Sequence, residues 1–210
     1  MREILCFGDS NTWGYDPVTR GRFPNDVRWT GVLQAALGPG YRVIEEGLNG
    51  RTSVWEDPVE GDKMGKRHLV PTLESQAPLD LVILMLGTND LKSRYSASPL
   101  DISWGIDKLL DIISKCPFGR ADKAPPVLLV APVPLGKLTE FAGIFEGGAV
   151  EKSRALASAY AGVAKTRGCA FFDAGTVTRC SDLDGVHYDA AGHHALGEAL
   201  AREVKRLVKA

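Results

Sequence analysis

Cysteine is scarce in this sequence, and no two cysteines have the spacing of a metal or redox motif. The four cysteines, Cys6, Cys116, Cys169 and Cys180, are scattered along 210 residues. Cys6 and Cys169 lie in apolar, strand-like runs, where a free cysteine behaves as a small core residue. Because no CxxC pair is present, zinc binding and thiol redox chemistry are not expected. We expect four reduced thiols in a cytoplasmic protein.

The sequence also lacks an excess of either charge and any long apolar run. Its 25 Lys and Arg residues nearly balance 26 Asp and Glu residues, giving a net charge of −1. Phosphate binding needs a concentrated basic face, so nucleic acid is not an expected partner. No segment reaches the roughly twenty apolar residues that cross a membrane. The first residues, MREILCFG, lack the pattern of a signal peptide, so we expect a cytoplasmic protein without membrane contact.

Short apolar runs recur through the chain and suit buried strands. The strand candidates are Ile4–Phe7, Tyr41–Glu45, Leu79–Leu86, Pro126–Ala131 and Cys169–Phe172. Two runs, LVILMLG and VLLVA, are almost continuously apolar, which is typical of parallel strands covered on both faces. With 44% hydrophobic and 24% charged residues, the length of 210 residues fits one globular domain over residues 1–210.

Helical patterns separate these strands, and most of them have residues suited to helix ends. The expected boundary residues are Asp26 and Gly38 around the first helix, Ser98-Pro99 before the second, Gly168 after the third and Asp189 before the last. Strand–helix alternation implies a parallel sheet with helices on both faces. Ligands bind such sheets beyond the carboxyl ends of the strands.

Two long segments, Thr52–Thr72 and Pro134–Gly148, carry glycine and charge without clear periodicity. Loops of that length often form walls or lids of a site, and this role is expected for both. The same loops offer surface for contacts between copies of the chain, so a homo-oligomer stays an open alternative.

Polar residues follow several of the predicted strand ends. Ser10 comes directly after the first strand, and Gly8 lets the backbone turn to present it. Gly50 lies in a glycine-rich loop after the second strand. Asn89, after the third strand, carries an amide that can hold a developing oxyanion. Each residue taken alone also fits an ordinary turn or helix cap.

A carboxylate and an imidazole, Asp184 and His187, lie three residues apart near the C-terminus. At this spacing the carboxylate can accept from Nδ1–H of the imidazole, leaving Nε2 free to take a proton from a hydroxyl. Together with Ser10, Gly50 and Asn89, this pair supplies a nucleophile, two oxyanion donors, a base and its orienter. That set is what acyl transfer requires.

Four segments resemble the motif blocks of the SGNH hydrolases, also called GDSL esterases. FGDSN, GLNGRT, LGTND and DGVH match these blocks in order and extend as far as residue 187. The resemblance implies a flavodoxin-like, three-layer α/β/α sandwich around a parallel sheet of about five strands. Asn11 departs from the GDSL signature, which has leucine there. Little loss of chemistry is expected, because that side chain is not a catalytic partner. The GxSxG elbow of α/β-hydrolases is absent.

The resemblance also implies a role for each motif residue. Ser10 would be the nucleophile, His187 the general base and Asp184 the carboxylate that orients it. The oxyanion hole would comprise the backbone N–H groups of Ser10 and Gly50 and the side chain of Asn89.

Flanking segments such as CFGDSNTWGY and VIEEGLNGRT are closer to the arylesterase and acyltransferase branch of the family. That resemblance implies an acyl or alcohol pocket lined by Tyr15, Lys92, Phe145 and Val186. Trp13 also follows the nucleophile and adds bulk beside Tyr15. We therefore expect a small, partly shielded pocket that favours short acyl chains and admits alcohols as acyl acceptors.

The expected function is that of a metal-independent serine esterase, without a cofactor, acting on small short-chain aryl or alkyl esters through an acyl-enzyme. The same triad would suit a carbohydrate O-acetylesterase, a lysophospholipase or a thioesterase. A non-catalytic flavodoxin-like binding module should have a phosphate loop after the first strand, where this sequence has Asp9. A metal-dependent phosphohydrolase is a further alternative, but only Asp184 and His187 have ligand-like spacing, so no metal site is expected.

Overall fold

Five parallel strands form one sheet in the computed structural model, which describes residues 1–208. The strands are β1 (Arg2–Gly8), β2 (Tyr41–Gly47), β3 (Leu81–Met85), β4 (Val127–Ala131) and β5 (Ala170–Asp173). They lie in the order β2-β1-β3-β4-β5, and every neighbouring pair is parallel. Each strand overlaps the segment predicted for it, so the expected five-stranded parallel sheet is confirmed.

Helices cover both faces of this sheet. The α-helices within residues 1–208 are α1 (Ser10–Trp13), α2 (Trp29–Leu37), α3 (Gly65–Ser75), α4 (Pro99–Ile113), α5 (Ala149–Arg167) and α6 (Ala190–Leu207). Side chains alternate along a strand, so neighbouring residues of β1 enter different cores. Leu5 and Phe7 pack with α3, α4 and α5, whereas Ile4 and Cys6 pack with α2 and α6. The three-layer α/β/α fold is thus confirmed. None of these helices is long and apolar enough to cross a membrane.

Most of the predicted helix boundaries are confirmed. At the start of α4, the Ser98 hydroxyl accepts from the Asp101 N–H at 3.2 Å, and the Asp101 carboxylate accepts from the Ser98 N–H at 2.9 Å. This reciprocal pair is a capping box. Asp189 accepts from the Gly192 N–H at 2.7 Å at the start of α6. Gly168 ends α5 with a φ of 67°, a left-handed conformation that favours glycine.

The prediction that Asp26 caps α2 is wrong. The helix begins at Trp29, and the residue before it, Arg28, has extended backbone angles and makes no capping hydrogen bond. The chain first forms a separate turn, in which the N–H groups of Val27 and Arg28 donate to the Pro24 carbonyl oxygen. Asp26 lies inside this turn, too early to reach the first N–H groups of the helix.

The segment Thr52–Thr72 was expected to be aperiodic, but α3 occupies its second half and continues to Ser75. Only Leu69 and Leu73 give this helix a recognisable buried pair one turn apart, and Pro71 lies between them. A proline inside a pattern usually ends a helix, which explains why the sequence does not show this one. Residues 134–148 form turns and irregular structure, as expected.

The motif residues gather at the carboxyl edge of the sheet. β1 leads into Ser10, β2 into the loop that holds Gly50, and β3 into Asn89. The segment with Asp184 and His187 connects β5 with α6. Because parallel strands all end at the same edge, these loops meet there.

Candidate active site

A series of hydrogen bonds links Ser10, His187 and Asp184. The Nε2 atom of His187 lies 2.9 Å from the Ser10 Oγ atom, and its Nδ1 atom lies 2.7 Å from Asp184 Oδ2. All three side chains are buried. In this arrangement an imidazole can take the proton of the hydroxyl while the carboxylate holds it in the required tautomer.

Backbone hydrogen bonds hold the Asp184 carboxylate in its charged form. Its Oδ1 atom accepts from the N–H groups of Val186 at 2.8 Å and His187 at 2.9 Å. Burial disfavours the charge, but the hydrogen bonds from the His187 ring and from these two N–H groups hold the pKa of Asp184 below its ordinary value. The carboxylate can therefore stabilise a positive charge on His187.

Gly185 allows the Asp184–His187 segment to pack closely on the loop after β4. It has a φ of 75°, and a Cβ atom there would lie 2.4 Å from the Lys137 carbonyl oxygen. The Gly136 N–H donates to the Gly185 carbonyl oxygen at 2.8 Å. A side chain at position 185 would thus be strained by its backbone angles and would also collide with the neighbouring loop.

The buried carboxamide of Asn11 contacts the backbone on both sides of His187. Its Nδ2 atom donates to the Val186 carbonyl oxygen at 3.2 Å, and its Oδ1 atom accepts from the Tyr188 N–H at 3.2 Å. The residue after Ser10 therefore joins the serine segment directly to the histidine segment. The sequence gives no sign of this contact.

Gly50 and Asn89 lie in two neighbouring loops that are joined by a hydrogen bond. The Asn89 Nδ2 atom donates to the Arg51 carbonyl oxygen at 3.2 Å. The Arg51 guanidinium in turn donates to the Gly8 carbonyl oxygen at 2.9 Å, at the end of β1. Gly50 itself has a φ of 79°, which favours glycine at this position. These contacts fix the loop after β2 beside the serine.

A cavity of about 160 Å³ opens beside Ser10. The residues that line it are Ser10, Tyr15, Asn49, Gly50, Glu60, Asn89, Lys92, Phe141, Ile144, Phe145, Val186 and His187. The centroid of the Tyr15 ring lies 4.1 Å from that of His187, and the centroid of Phe141 lies 5.5 Å from it. Aromatic side chains therefore flank the imidazole.

Two buried carboxyl groups lie next to the motif residues in sequence. The Asp9 carboxylate accepts from the Asn11 N–H at 3.0 Å. The Asp90 carboxylate accepts from the N–H of Ser53 at 3.0 Å and also from the Ser53 hydroxyl. Burial raises the pKa of Asp9 and that of Asp90 to about 6, although these hydrogen bonds act in the opposite direction.

Most of the chain matches one known family of enzymes. A model of the GDSL-like lipase/acylhydrolase family matches residues 6–195. The chain belongs to this family. The resemblance to SGNH hydrolases is therefore confirmed, and the chain is a carboxylic ester hydrolase.

Solved structures similar to this SGNH hydrolase agree with its fold. The aryl esterase of M. smegmatis is 42% identical with a TM-score of 0.94, and the match covers 99% of this chain and 100% of that one. A carbohydrate acetylesterase from Sinorhizobium meliloti gives the same identity, coverage and TM-score. A carbohydrate acetylesterase family member from Sinorhizobium meliloti is 39% identical, with a TM-score of 0.95 and 100% of both chains covered. No curated protein matches the chain.

Four of the five pocket residues expected of this SGNH hydrolase line the cavity, namely Tyr15, Lys92, Phe145 and Val186. Trp13 does not line it, contrary to the expectation. It is the last residue of the one-turn helix α1, and successive side chains of a helix point in different directions. The Arg22 guanidinium lies 5.0 Å from its ring centroid, so the tryptophan packs under that side chain instead.

Glu60 and Asn49 line the cavity of this SGNH hydrolase and were not predicted. The Lys92 Nζ atom donates to Glu60 Oε1 at 2.5 Å, across 32 positions of sequence. Glu60 lies in the segment Thr52–Thr72, which was expected to form a wall of the site. Residues so far apart in sequence leave no local pattern of their contact. The sequence therefore predicts that this segment forms a wall of the site, but not that Glu60 pairs with Lys92.

Within residues 1–208, no group of three or more His, Cys, Asp or Glu side chains could hold a metal ion.

Proposed function

We propose that this chain hydrolyses short-chain carboxylic esters through an acyl-enzyme formed on Ser10. The proposal is carried by the series of hydrogen bonds from Ser10 Oγ to His187 Nε2, at 2.9 Å, and from His187 Nδ1 to Asp184 Oδ2, at 2.7 Å. His187 takes the hydroxyl proton as Oγ attacks the ester carbonyl carbon, and gives it to the departing alcohol. Water then attacks the acyl-enzyme in the same way and releases the acid.

The negative charge on the carbonyl oxygen needs donors in place before the reaction. We assign this role to the N–H groups of Ser10 and Gly50 and to the Asn89 side chain. In support, all three residues line the cavity. Ser10 is also the first residue of α1, where an N–H has no acceptor within the helix. Loss of one such donor lowers kcat about 10²–10³-fold in other hydrolases.

The cavity favours a small acyl group. Its volume of about 160 Å³ and its lining of Tyr15, Phe141, Ile144 and Phe145 support acyl chains shorter than those of lipid substrates. The same apolar surroundings disfavour water, so an alcohol can compete for the acyl-enzyme and acyl transfer becomes a second reaction. Aryl acetates and acetylated carbohydrates are both proposed substrates, since solved relatives are named as an aryl esterase and a carbohydrate acetylesterase.

An activity-based label tests the proposal directly. A fluorophosphonate should label the protein once, and peptide mapping should place the label on Ser10. Ser10→Ala should abolish both labelling and ester hydrolysis, whereas Ser103→Ala, a buried serine on α4, should change neither. Across p-nitrophenyl acetate, butyrate, octanoate and laurate, kcat/KM should fall beyond about four carbons. Labelling at another residue contradicts the mechanism, and a flat chain-length profile contradicts the small acyl site.

A further inference from the structure

Two side chains of opposite charge lie in the otherwise largely apolar wall of the cavity. Glu60 and Lys92 both line it. The Lys92 side chain is 4% exposed, whereas that of Glu60 is 34% exposed. Lys92 Nζ donates to Glu60 Oε1 at 2.5 Å and lies 3.5 Å from Asp57 Oδ2. Of these three groups, Glu60 is thus the most accessible to a bound molecule.

Both oxygens of the neighbouring carboxylate, Asp57, accept hydrogen bonds from other groups of the protein. It accepts from the Arg94 guanidinium and from the Tyr95 hydroxyl, both at 2.7 Å, and from two backbone N–H groups at 2.9 Å. Burial opposes its charge, but these hydrogen bonds and the Lys92 ammonium hold the pKa of Asp57 well below its usual range. The two positive charges of Lys92 and Arg94 therefore balance the two negative charges of Asp57 and Glu60. Lys92 pairs with Glu60, and Arg94 pairs with Asp57.

One oxygen of Glu60 is left without a protein donor. Lys92 occupies Oε1, and the nearest approach of Arg94 is also to Oε1, at 3.8 Å. No donor among residues 1–208 forms a hydrogen bond with Oε2. This atom lies against Gly50, since a Cβ atom added to Gly50 would be 2.4 Å from it. A charged acceptor is thus held next to the loop that we assign to the oxyanion hole.

We propose that Glu60 Oε2 accepts a hydrogen bond from a hydroxyl group of the substrate. The inference rests on the proposed esterase function and specifies its substrate class as esters that carry a free hydroxyl close to the carbonyl. The hydroxyl can belong to the alcohol, as in a partly acetylated polyol or sugar, or to the acyl group, as in a 2-hydroxy acid ester. A hydrogen bond to a charged acceptor is about twice as strong as one between neutral groups, so a substrate without the hydroxyl binds less well.

Three small esters of similar size separate the two sources of the hydroxyl. Propyl acetate has none, glycerol 1-acetate has hydroxyls in the alcohol, and propyl glycolate has one in the acyl group. The measurement is kcat/KM for each ester with the wild-type chain, Glu60→Gln and Glu60→Ala. Asp62→Asn is the matched control, because Asp62 is on the same segment, is 79% exposed and pairs with Arg67.

We expect Glu60→Gln to lower kcat/KM for the hydroxylated ester about tenfold relative to propyl acetate, and Glu60→Ala to lower it further. The ester that loses rate selectively identifies which side of the substrate meets Glu60. Equal losses on all three esters, or no loss on any, would overturn the inference while leaving the esterase function in place. A wild-type chain that is not labelled at Ser10 and cleaves none of them would overturn the esterase function and this inference with it.

Discussion

Among single residues, Asn11 gives the serine and histidine segments a common anchor. Its carboxamide donates to Val186 and accepts from Tyr188, so it holds the backbone on either side of His187. Asn11→Leu removes both hydrogen bonds. It leaves the buried Tyr188 N–H without its acceptor and leaves the Val186 carbonyl oxygen to the weak thiol donor of Cys180, at 3.2 Å. We expect kcat to fall about tenfold to hundredfold with KM little changed, since small displacements of a catalytic group have effects of that size.

Stability should respond to the same change. The unsatisfied buried N–H of Tyr188 lowers the free energy of unfolding by about 1–3 kcal/mol, which urea denaturation can measure. Asn25→Leu is the control, because Asn25 is exposed and its amide donates to Glu45 Oε1 at 3.2 Å in a solvent-exposed hydrogen bond. A folded Asn11→Leu variant with normal kcat would show that the other contacts of the loop are enough to place His187.

Asp184 is the second residue whose contribution to kcat can be measured separately. Asp184→Asn keeps the shape of the side chain, but its amide can present a donor to His187 Nδ1 and so favour the wrong tautomer. We expect kcat to fall by about 10³–10⁴ with the fold retained. Asp182→Asn, two positions earlier and 84% exposed, should have normal kinetics. A near-normal kcat for Asp184→Asn would mean that another group orients the imidazole.

The sequence predicts these residues to very different degrees. Ser10 and Asn89 lie in short contiguous motifs just after β1 and β3. Asp184 and His187 share one short motif in the segment between β5 and α6, so local patterns are sufficient to predict all four residues. The partners that surround them are distant in sequence. Glu60 meets Lys92 across 32 positions and Asn11 meets Val186 across 175. Such contacts depend on how the loops fold against each other, and no local pattern encodes them.

Among the structural elements, the loop that carries His187 depends most strongly on one backbone conformation. Gly185 has a φ of 75°, and its α-carbon faces the Lys137 carbonyl oxygen. We expect Gly185→Ala to lower the free energy of unfolding by more than about 1 kcal/mol and to reduce kcat. Gly143→Ala is a matched control in the neighbouring loop, since no atom lies within 4 Å of the added methyl group. Equal stability of the two variants by urea denaturation would contradict this explanation.

The strands could be predicted better than the helix starts. Four to seven consecutive apolar residues buried on both faces leave a clear pattern, and β3 and β4 follow it closely. The prediction for Asp26 was wrong because a separate turn from Pro24 to Arg28 precedes α2. In sequence, such a turn has the same residue types as the first turn of a helix. α3 was missed because Pro71 lies inside it and few of its side chains reach the core. In both places the packing of the whole chain overrides the local pattern.

For the molecule as a whole, the buried ionisable groups near the site make stability depend on pH in two opposing ways. Burial raises the pKa of Asp90 to about 6, so its carboxyl group holds a proton more tightly in the folded chain than in the unfolded chain. Burial also lowers the pKa of His193 to about 4. Its Nδ1 atom accepts from the Trp29 N–H at 3.2 Å, which requires an unprotonated nitrogen, and this residue serves as a packed structural histidine.

These two shifts have opposite signs in the linkage between proton binding and folding. The stabilising contribution of Asp90 is complete below its unfolded pKa of about 3.9 and is lost as the pH rises through about 6. The contribution of His193 is complete above about 6.5 and is lost as the pH falls towards about 4. Between pH 4 and 6.5 the two contributions therefore change in opposite directions and partly offset each other in the wild-type chain.

Removing each group should show its own slope as a difference from the wild type, because Asp9, whose pKa is also raised to about 6, is present in both chains. Between pH 4 and 6.5, the free energy of unfolding of Asp90→Asn should rise relative to the wild type by on the order of 2 kcal/mol, since each pKa unit corresponds to about 1.4 kcal/mol. That of His193→Asn, which keeps an acceptor for the Trp29 N–H, should fall relative to the wild type over the same range. Urea denaturation at half-unit pH steps gives both difference curves, and the double variant should combine them. Parallel curves, or slopes of the same sign, would mean that these two groups do not titrate with folding as their burial requires.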